Sequence, residues 1–405
     1  MANERFLQAL QDHVADLEAK GTAKGAENVI VDTLRAEGTR GPRYLLEGQG
    51  DKPFIKMNSN NYLGMSLKPE LIAAEEEASK HCGVGPGAVR FISGTYQEHT
   101  DLEAGLAAFH GRKSGMIFSA AYATILGVLV PLITKETTVI SDELNHNCII
   151  NAMRLARPHE KKIYPHLDMA GLEKALQEGS GKRAVVVTDG IFSMRGTFAP
   201  LQEVMDLARK YDHGYDEGVV VVVDDSHGVA AFGETGRGTE EHTGARADVL
   251  VGTLGKGFGV NGGYVVGPEA LIRYLRETAP TYIYSNPITA GECAASSKAL
   301  ELLDSDSGRE MIDHLRAMTV RFEKGITDLG YETIPSPHPV TPLMVRDTPK
   351  TAALVRHLFE HGVLATGLNY PVVPKGDESI RFQISADHTA SDIDEVLRAI
   401  ESFAG

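Results

Sequence analysis

Five consecutive valines, Val219 to Val223, run into the pair Asp224-Asp225. A β-branched run with no polar member has no side to show to water, so it fits a strand covered on both faces. Strands of that kind sit inside parallel sheets with helices packed above and below. Shorter apolar runs at 114–118, 137–141, 184–188 and 249–253 repeat the theme. Between and before them, residues 69–80, 98–110, 121–132, 147–156 and 201–210 carry helical patterns. This alternation predicts an α/β domain on a mostly parallel sheet over residues 58–286.

The texture changes beyond Asn286. Long helical patterns at 288–303 and 310–329 precede strand candidates at 341–345 and 379–384 and helices at 351–361 and 391–403. A smaller C-terminal α+β domain over 287–405 is predicted. Ahead of the large domain, residues 1–57 carry one amphipathic helix, 4–20, with Phe6, Leu7, Leu10, Val14 and Leu17 near helical spacing. Two short strands are expected there, at 44–46 and 54–57.

Composition narrows the function classes. The net charge of −15 at pH 7 argues against a general nucleic-acid binder. No apolar run reaches the ~18 residues needed to span a bilayer. The first 20 residues lack the charged-then-apolar layout of an export signal. Three cysteines, Cys82, Cys148 and Cys293, form neither a CxxC pair nor a zinc-finger spacing. A reducing, cytoplasmic setting without a structural metal is therefore expected. The 42 glycines fall in clusters, which suits tight turns beside a ligand.

Three polar clusters follow strands, at the edge where open sheets bind ligands. They are Val223-Asp224-Asp225-Ser226-His227-Gly228, Gly252-Thr253-Leu254-Gly255-Lys256-Gly257-Phe258-Gly259 and Ser141-Asp142-Glu143-Leu144-Asn145-His146-Asn147. Taken alone, Lys256 fits an exposed turn lysine as well as a Schiff-base amine of lowered pKa. A GxxxxGK phosphate loop fits poorly, because no Ser or Thr follows the lysine. Asp224 could cap a turn, or could pair with a pyridinium nitrogen. His146 and His227 could be structural histidines, or could face a planar ligand. Ser119 to Thr124 joins a strand to a helix and could seat a phosphate. One lysine, one strand-end aspartate, a stacking histidine and a phosphate turn together are what pyridoxal 5′-phosphate requires.

The motifs also have a family order. The chain resembles the α-oxoamine synthases, fold-type I pyridoxal-phosphate enzymes that condense an amino acid with an acyl-CoA. The resemblance rests on Asn60-Asn61-Tyr62-Leu63-Gly64, Arg90-Phe91-Ile92-Ser93-Gly94-Thr95, Leu144-Asn145-His146, Asp189-Gly190-Ile191-Phe192-Ser193-Met194, Asp224-Asp225-Ser226-His227 and Gly252-Thr253-Leu254-Gly255-Lys256. It implies that Lys256 holds the cofactor as a Schiff base and moves the substrate α-proton. Asp224 would pair with the ring nitrogen and His146 would stack on the ring. His227 would bond the ring hydroxyl, and Ser193 would lie nearby. Ala121 and Tyr122, through backbone N–H groups, and Thr253 would hold the phosphate, with Ser285 reaching it from a second subunit. A homodimer with shared sites is implied. Asn60 and Arg381 would hold the amino-acid carboxylate.

Within the family, Val89-Arg90-Phe91 and Tyr370-Pro371-Val372-Val373-Pro374-Lys375-Gly376 look like the glycine C-acetyltransferases, also called 2-amino-3-ketobutyrate CoA ligases. Val89 and Phe91 would then shape a pocket for acetyl-CoA or another short donor, with glycine as acceptor. An 8-amino-7-oxononanoate synthase-like enzyme, or a synthase of secondary metabolism with another donor, is the alternative. An aminotransferase or a non-catalytic protein of the same fold are the competing classes. Two departures from the family stand out: Arg195 after Met194, and an apparent insertion at 212–218.

Overall fold

The valine strand, Val219–Asp224, is the central member of a seven-stranded sheet. This arrangement comes from a computed structural model, which describes residues 3–20, 22–370 and 373–403. Arg183–Asp189 and Val249–Thr253 flank the valine strand, both parallel to it. Thr137–Asp142 and the edge strand Glu160–Tyr164 continue the parallel set on one side. On the other side Gly263–Gly267 runs antiparallel to both Val249–Thr253 and the edge strand Ser114–Phe118. The expected α/β architecture with a mostly parallel sheet is present.

The sheet is covered on both faces. Val221 and Val223 enter one apolar cluster and Val222 the other, as the two-residue period of a strand requires. Each fully buried valine of this kind contributes about 1.5–3 kcal/mol relative to exposure. The first cluster extends into the C-terminal region through Leu315, Phe322, Ile380 and Phe382.

Two of these strands escape a periodicity reading, for physical reasons. In Glu160–Tyr164 only Tyr164 is buried, because the strand lies at the sheet edge. Gly263–Gly267 begins and ends in glycine. A Cβ at Gly263 would collide with the Ala121 backbone, so the glycine seats the start of helix Ala121–Leu132 close over the sheet.

The C-terminal region builds a four-stranded antiparallel sheet from Glu332–Thr333, Val340–Met344, Ser379–Gln383 and Thr366–Leu368. Two of its helices start earlier than their apolar spacing indicates, because polar caps precede the apolar stripe, whereas the helix expected from 288 starts at Ala290. Ser305 caps Asp306–Asp328, and Asp347 caps Thr348–Glu360. Helix Ala290–Leu303, closed by a Thr289–Glu292 capping box, packs on Pro69–Cys82 and Gln97–Phe109.

The N-terminal strands Ile30–Leu34, Arg43–Leu46 and Pro53–Lys56 form an antiparallel set that Val363–Leu364 extends in parallel. A buried ion pair, Arg43 to Asp392 at 2.7 Å, ties the same segment to helix Ala390–Glu401. Helix Glu4–Ala19 has no buried residue, and Phe6, Leu7, Leu10 and Val14 are exposed.

The 212–218 segment forms a short 3-10 turn, Asp212–Gly214, at the start of the valine strand. Asp212 accepts there from Val219 N at 2.9 Å. It lies at the strand end opposite Asp224.

Candidate active site

The C-terminal ends of the parallel strands open onto one pocket, lined by Ala121, Tyr122, His146, Cys148, Asp189, Ile191, Ser193, Asp224, Ser226, His227 and Lys256. Lys256 rides on the turn after Val249–Thr253. Val260 N donates to Leu254 O at 2.9 Å and closes that turn. Thr253 Oγ1 donates to Gly262 O at 3.1 Å and accepts from Gly255 N at 3.2 Å, so it braces the base of the turn. Among the described residues the Lys256 ammonium has no ion pair. Burial lowers its pKa below the ordinary lysine value, with the charges of Asp224 and Asp189 opposing.

Asp224 ends the valine strand with its carboxylate oriented from two sides. Ser226 donates to Oδ1 through Oγ at 2.5 Å and through N at 3.1 Å. Cys148 Sγ lies 3.7 Å from Oδ2. Asp189 ends the neighbouring strand in register with Asp224. Its Oδ2 accepts from His146 N at 3.1 Å, while Oδ1 is buried without a partner among the described residues. Burial, and after it the charge of Asp224, push Asp189 well above the usual carboxylate range.

His146 is the N-cap of helix Asn147–Ala156 and stands at the pocket mouth. Its Nδ1 accepts from Cys148 N at 3.2 Å, with Cys148 Sγ 2.9 Å away. The protein packed behind the ring lowers its pKa, with Asp224 opposing. His227 Nδ1 lies 2.7 Å from Tyr62 Oη, deep in the protein. Burial holds His227 well below the ordinary histidine value, and the charge of Lys256 adds to that.

The helix after Ser114–Phe118 starts at Ala121 with no side-chain cap. The first helical N–H groups therefore have no intrahelical acceptor. Ala121 and Tyr122 line the pocket. A phosphate suits that position, since the helix dipole favours an anion there.

Arg381, on Ser379–Gln383, donates from Nη1 to Ser193 O at 3.3 Å. Its Nε is buried without a partner among the described residues. Asn60 Oδ1 contacts Gln383 Nε2 two residues along the same strand.

The remaining predicted site residues lie apart. Phe91 is exposed, Val89 and Ser285 are half-buried, and none of the three lines the pocket of its own chain. Arg90 is turned inward, onto Glu103 at 3.1 and 3.2 Å. Arg195 pairs with Asp377 at 2.9 Å. Residues 371 and 372 of the Tyr370–Gly376 motif lie outside the described residues.

Three polar pocket groups, Cys148, Asp189 and Ser226, received no role in the sequence reading, and neither did Tyr62, which is buried against His227. Tyr62, Asp189 and Ser226 stand inside quoted motifs. Cys148 is two residues from His146, a spacing that puts a side chain beside an N-cap.

The donor set fits pyridoxal 5′-phosphate. An unpaired lysine, an oriented carboxylate on a strand end, an uncapped helix N-terminus and an orphaned buried carboxyl oxygen all face one space.

Comparison with known proteins places these features in context. Residues 52–400 match the family model of class I and II aminotransferases. The chain is 39% identical over 398 residues to mitochondrial 2-amino-3-ketobutyrate coenzyme A ligase of Bos taurus, covering 97% of this chain and 90% of that protein. It is 40% identical over 357 residues to 8-amino-7-oxononanoate synthase of Bacillus pumilus (strain SAFR-032), covering 87% and 89%. A solved structure of a serine palmitoyltransferase variant from S. paucimobilis, with a bound PLP–myriocin aldimine, superposes with a TM-score of 0.86. That similarity covers 97% of this chain and 96% of the other at 26% identity.

Proposed function

The chain belongs to the class I and II aminotransferase family, and within it to the pyridoxal-phosphate-dependent α-oxoamine synthases; from that premise we propose that it condenses glycine or another small amino acid with an acyl-CoA. The observation that carries the site assignment is Lys256, unpaired, in one pocket with Asp189 and Asp224. When bound, the cofactor accepts the electron pair left at the amino-acid Cα.

Lys256 is the attachment point and then the base that takes the Cα proton. A lysine of lowered pKa has a larger neutral fraction for that step. Asp224 offers Oδ2 to the ring nitrogen, since Ser226 already occupies Oδ1. His146 covers the pocket mouth. The free N–H groups at Ala121 and Tyr122 hold the phosphate. Arg381 and Asn60 bind the substrate carboxylate and turn the Cα–H bond towards Lys256. Burial disfavours the charged form of His227, and with Tyr62 Oη donating to its Nδ1 it would present an Nε2–H donor to an oxygen in the pocket.

The reaction joins the amino-acid Cα to the acyl carbonyl carbon and breaks the C–S bond. Coenzyme A leaves as the thiol, which carries away one proton. The product is a 2-amino-3-oxo acid, or the aminoketone once carbon dioxide is lost. The reading includes a homodimer: Ser285, Val89 and Phe91 do not line the Lys256 pocket of their own chain, which suits residues that serve the site of a second copy. Exposed Phe91, Ile92 and Tyr284 supply apolar surface for that contact. Among the described residues no helix is long and apolar enough to cross a membrane.

The test is thiol release by cofactor-loaded protein across glycine, serine and alanine, each with several acyl-CoAs. Release that needs both substrates and vanishes in Lys256→Ala supports the condensation. Half-transamination by an amino donor alone, with no thiol release, sinks it in favour of aminotransferase chemistry.

A further inference from the structure

Next to the cofactor pocket lies a second cavity of about 470 Å³. The two share Ser193. Leu144, Phe192, Met194, Ile334, Met344 and Leu368 supply apolar walls. Pockets that bury a drug-sized ligand measure roughly 300–1,000 Å³, so this space far exceeds the need of a two-carbon group.

Both guanidiniums at the cavity are already engaged. Arg195 pairs with Asp377 at 2.9 Å. Arg346 pairs with Glu332 at 2.6 Å and donates to Gly376 O at 3.1 Å. Glu143 adds a third carboxylate and accepts from His166 N at 2.9 Å. Three carboxylates against two engaged guanidiniums disfavour an incoming anion, whether a terminal carboxylate or a nucleotide phosphate. A neutral apolar chain meets no such penalty.

The geometry points to this cavity as the site of the acyl chain of the thioester donor, and to a donor with a neutral chain several methylenes longer than acetyl. This inference rests on the condensation proposed above. The expectation of a short donor came from two motifs: Val89 and Phe91 line neither cavity of their own chain, whereas Val373 and Pro374 of the Tyr370–Gly376 motif line this one.

The experiment is a series of straight-chain acyl-CoAs from acetyl to decanoyl, plus pimeloyl-CoA, with glycine and cofactor-loaded protein. The expected kcat/KM rises about fourfold per methylene until the cavity is full. Pimeloyl-CoA should fall at least tenfold below octanoyl-CoA. Met344→Trp narrows the space and should cut the octanoyl-to-acetyl ratio at least tenfold, and Leu368→Phe applies the same test from another wall residue. Calorimetric titration of cofactor-free protein should rank the donors in the same order.

Three results overturn the assignment and leave the condensation standing. They are a maximum at acetyl-CoA, a preference for pimeloyl-CoA, or equal loss for octanoyl and acetyl donors in both variants, which would give the cavity to the pantetheine arm. Absence of thiol release with every donor defeats the condensation instead. The calorimetric order then still decides whether the cavity takes an apolar chain.

Discussion

Asp189 and Asp224 end adjacent parallel strands in register, and both carboxyl groups line the pocket that holds Lys256. The protein treats the two unequally. Asp224 accepts two hydrogen bonds from Ser226, whereas Asp189 keeps one buried oxygen without a partner among the described residues. Two adjacent carboxyls in a dry site do not both ionise readily. Burial and, after it, its neighbour's charge raise the Asp189 pKa well above the usual carboxylate range, so Asp189 is the member of the pair that favours its protonated form.

Asparagine replacements should therefore separate the two. Asp224→Asn removes the charge that pairs with the ring nitrogen, and cofactor affinity should fall about 10- to 100-fold. Asp189→Asn substitutes one neutral group for another, and affinity should stay within about threefold. Absorbance titration of cofactor-free protein with pyridoxal phosphate measures both. Equal losses in the two variants would show that Asp189 also carries charge.

We assign Tyr62 the role of fixing which nitrogen of His227 bears the proton. Burial pushes its hydroxyl far above the usual phenol range, so it stays protonated; Oη lies 2.7 Å from His227 Nδ1 and 3.4 Å from Asn60 Oδ1, and donation to Nδ1 would leave the imidazole proton on Nε2. Tyr62→Phe frees that nitrogen while leaving the ring volume nearly unchanged. The expected result is a 10- to 100-fold lower kcat, with the amino-acid KM within about threefold. The nitrogen NMR shifts of His227 should move from the Nε2–H form towards a mixture. A lower kcat with unchanged shifts would assign Tyr62 a packing role only.

How much of this was readable in advance depends on the range of the interaction. The valine strand announced the covered sheet, because its own composition rules out a solvent-facing side. Lys256, Asp224, His146 and His227 each follow a strand, and strand ends converge by the logic of a parallel sheet. The Tyr62–His227 bond joins residues 165 apart in sequence, so no local pattern reports it. Arg90 belongs to a quoted motif, and what it does there is equally non-local to read: Glu103 and Thr95 occupy its guanidinium inside the protein. Edge strand Glu160–Tyr164 was missed because an exposed strand needs no apolar alternation.

Arg381 carries a guanidinium that the protein leaves partly unused. One nitrogen donates to Ser193 O, and Nε is buried without a partner among the described residues. Lysine in its place keeps the charge and loses the planar fork. Arg381→Lys should raise the KM for the amino acid about 10- to 100-fold and leave the acyl-CoA KM within about threefold. A change confined to the acyl-CoA KM would move Arg381 to the thioester side of the site.

Asp225 makes stability depend on pH. Its carboxylate is fully buried and accepts from Thr239 N at 2.7 Å and Thr239 Oγ1 at 2.6 Å. A Cβ at Gly190, Gly228 or Gly238 would collide with it, so three glycines make the room it occupies. Burial pushes its pKa up to about 7, and the two bonds from Thr239 oppose that rise. An unfolded aspartate titrates near ~3.9. The folded chain therefore keeps a proton that the unfolded chain has released. The resulting stability is complete below about pH 4, declines as pH rises towards 7, and is gone above that value. Between pH 5 and 7.5 the loss is about 2.5 kcal/mol. Asp225→Asn has no proton to lose, so its melting temperature should gain on the natural chain steadily across that window and level off above it. Thermal melts at half-unit pH steps give the comparison. A constant difference from pH 5 to 8 would mean that Asp225 is ionised throughout, with the Thr239 bonds prevailing over burial.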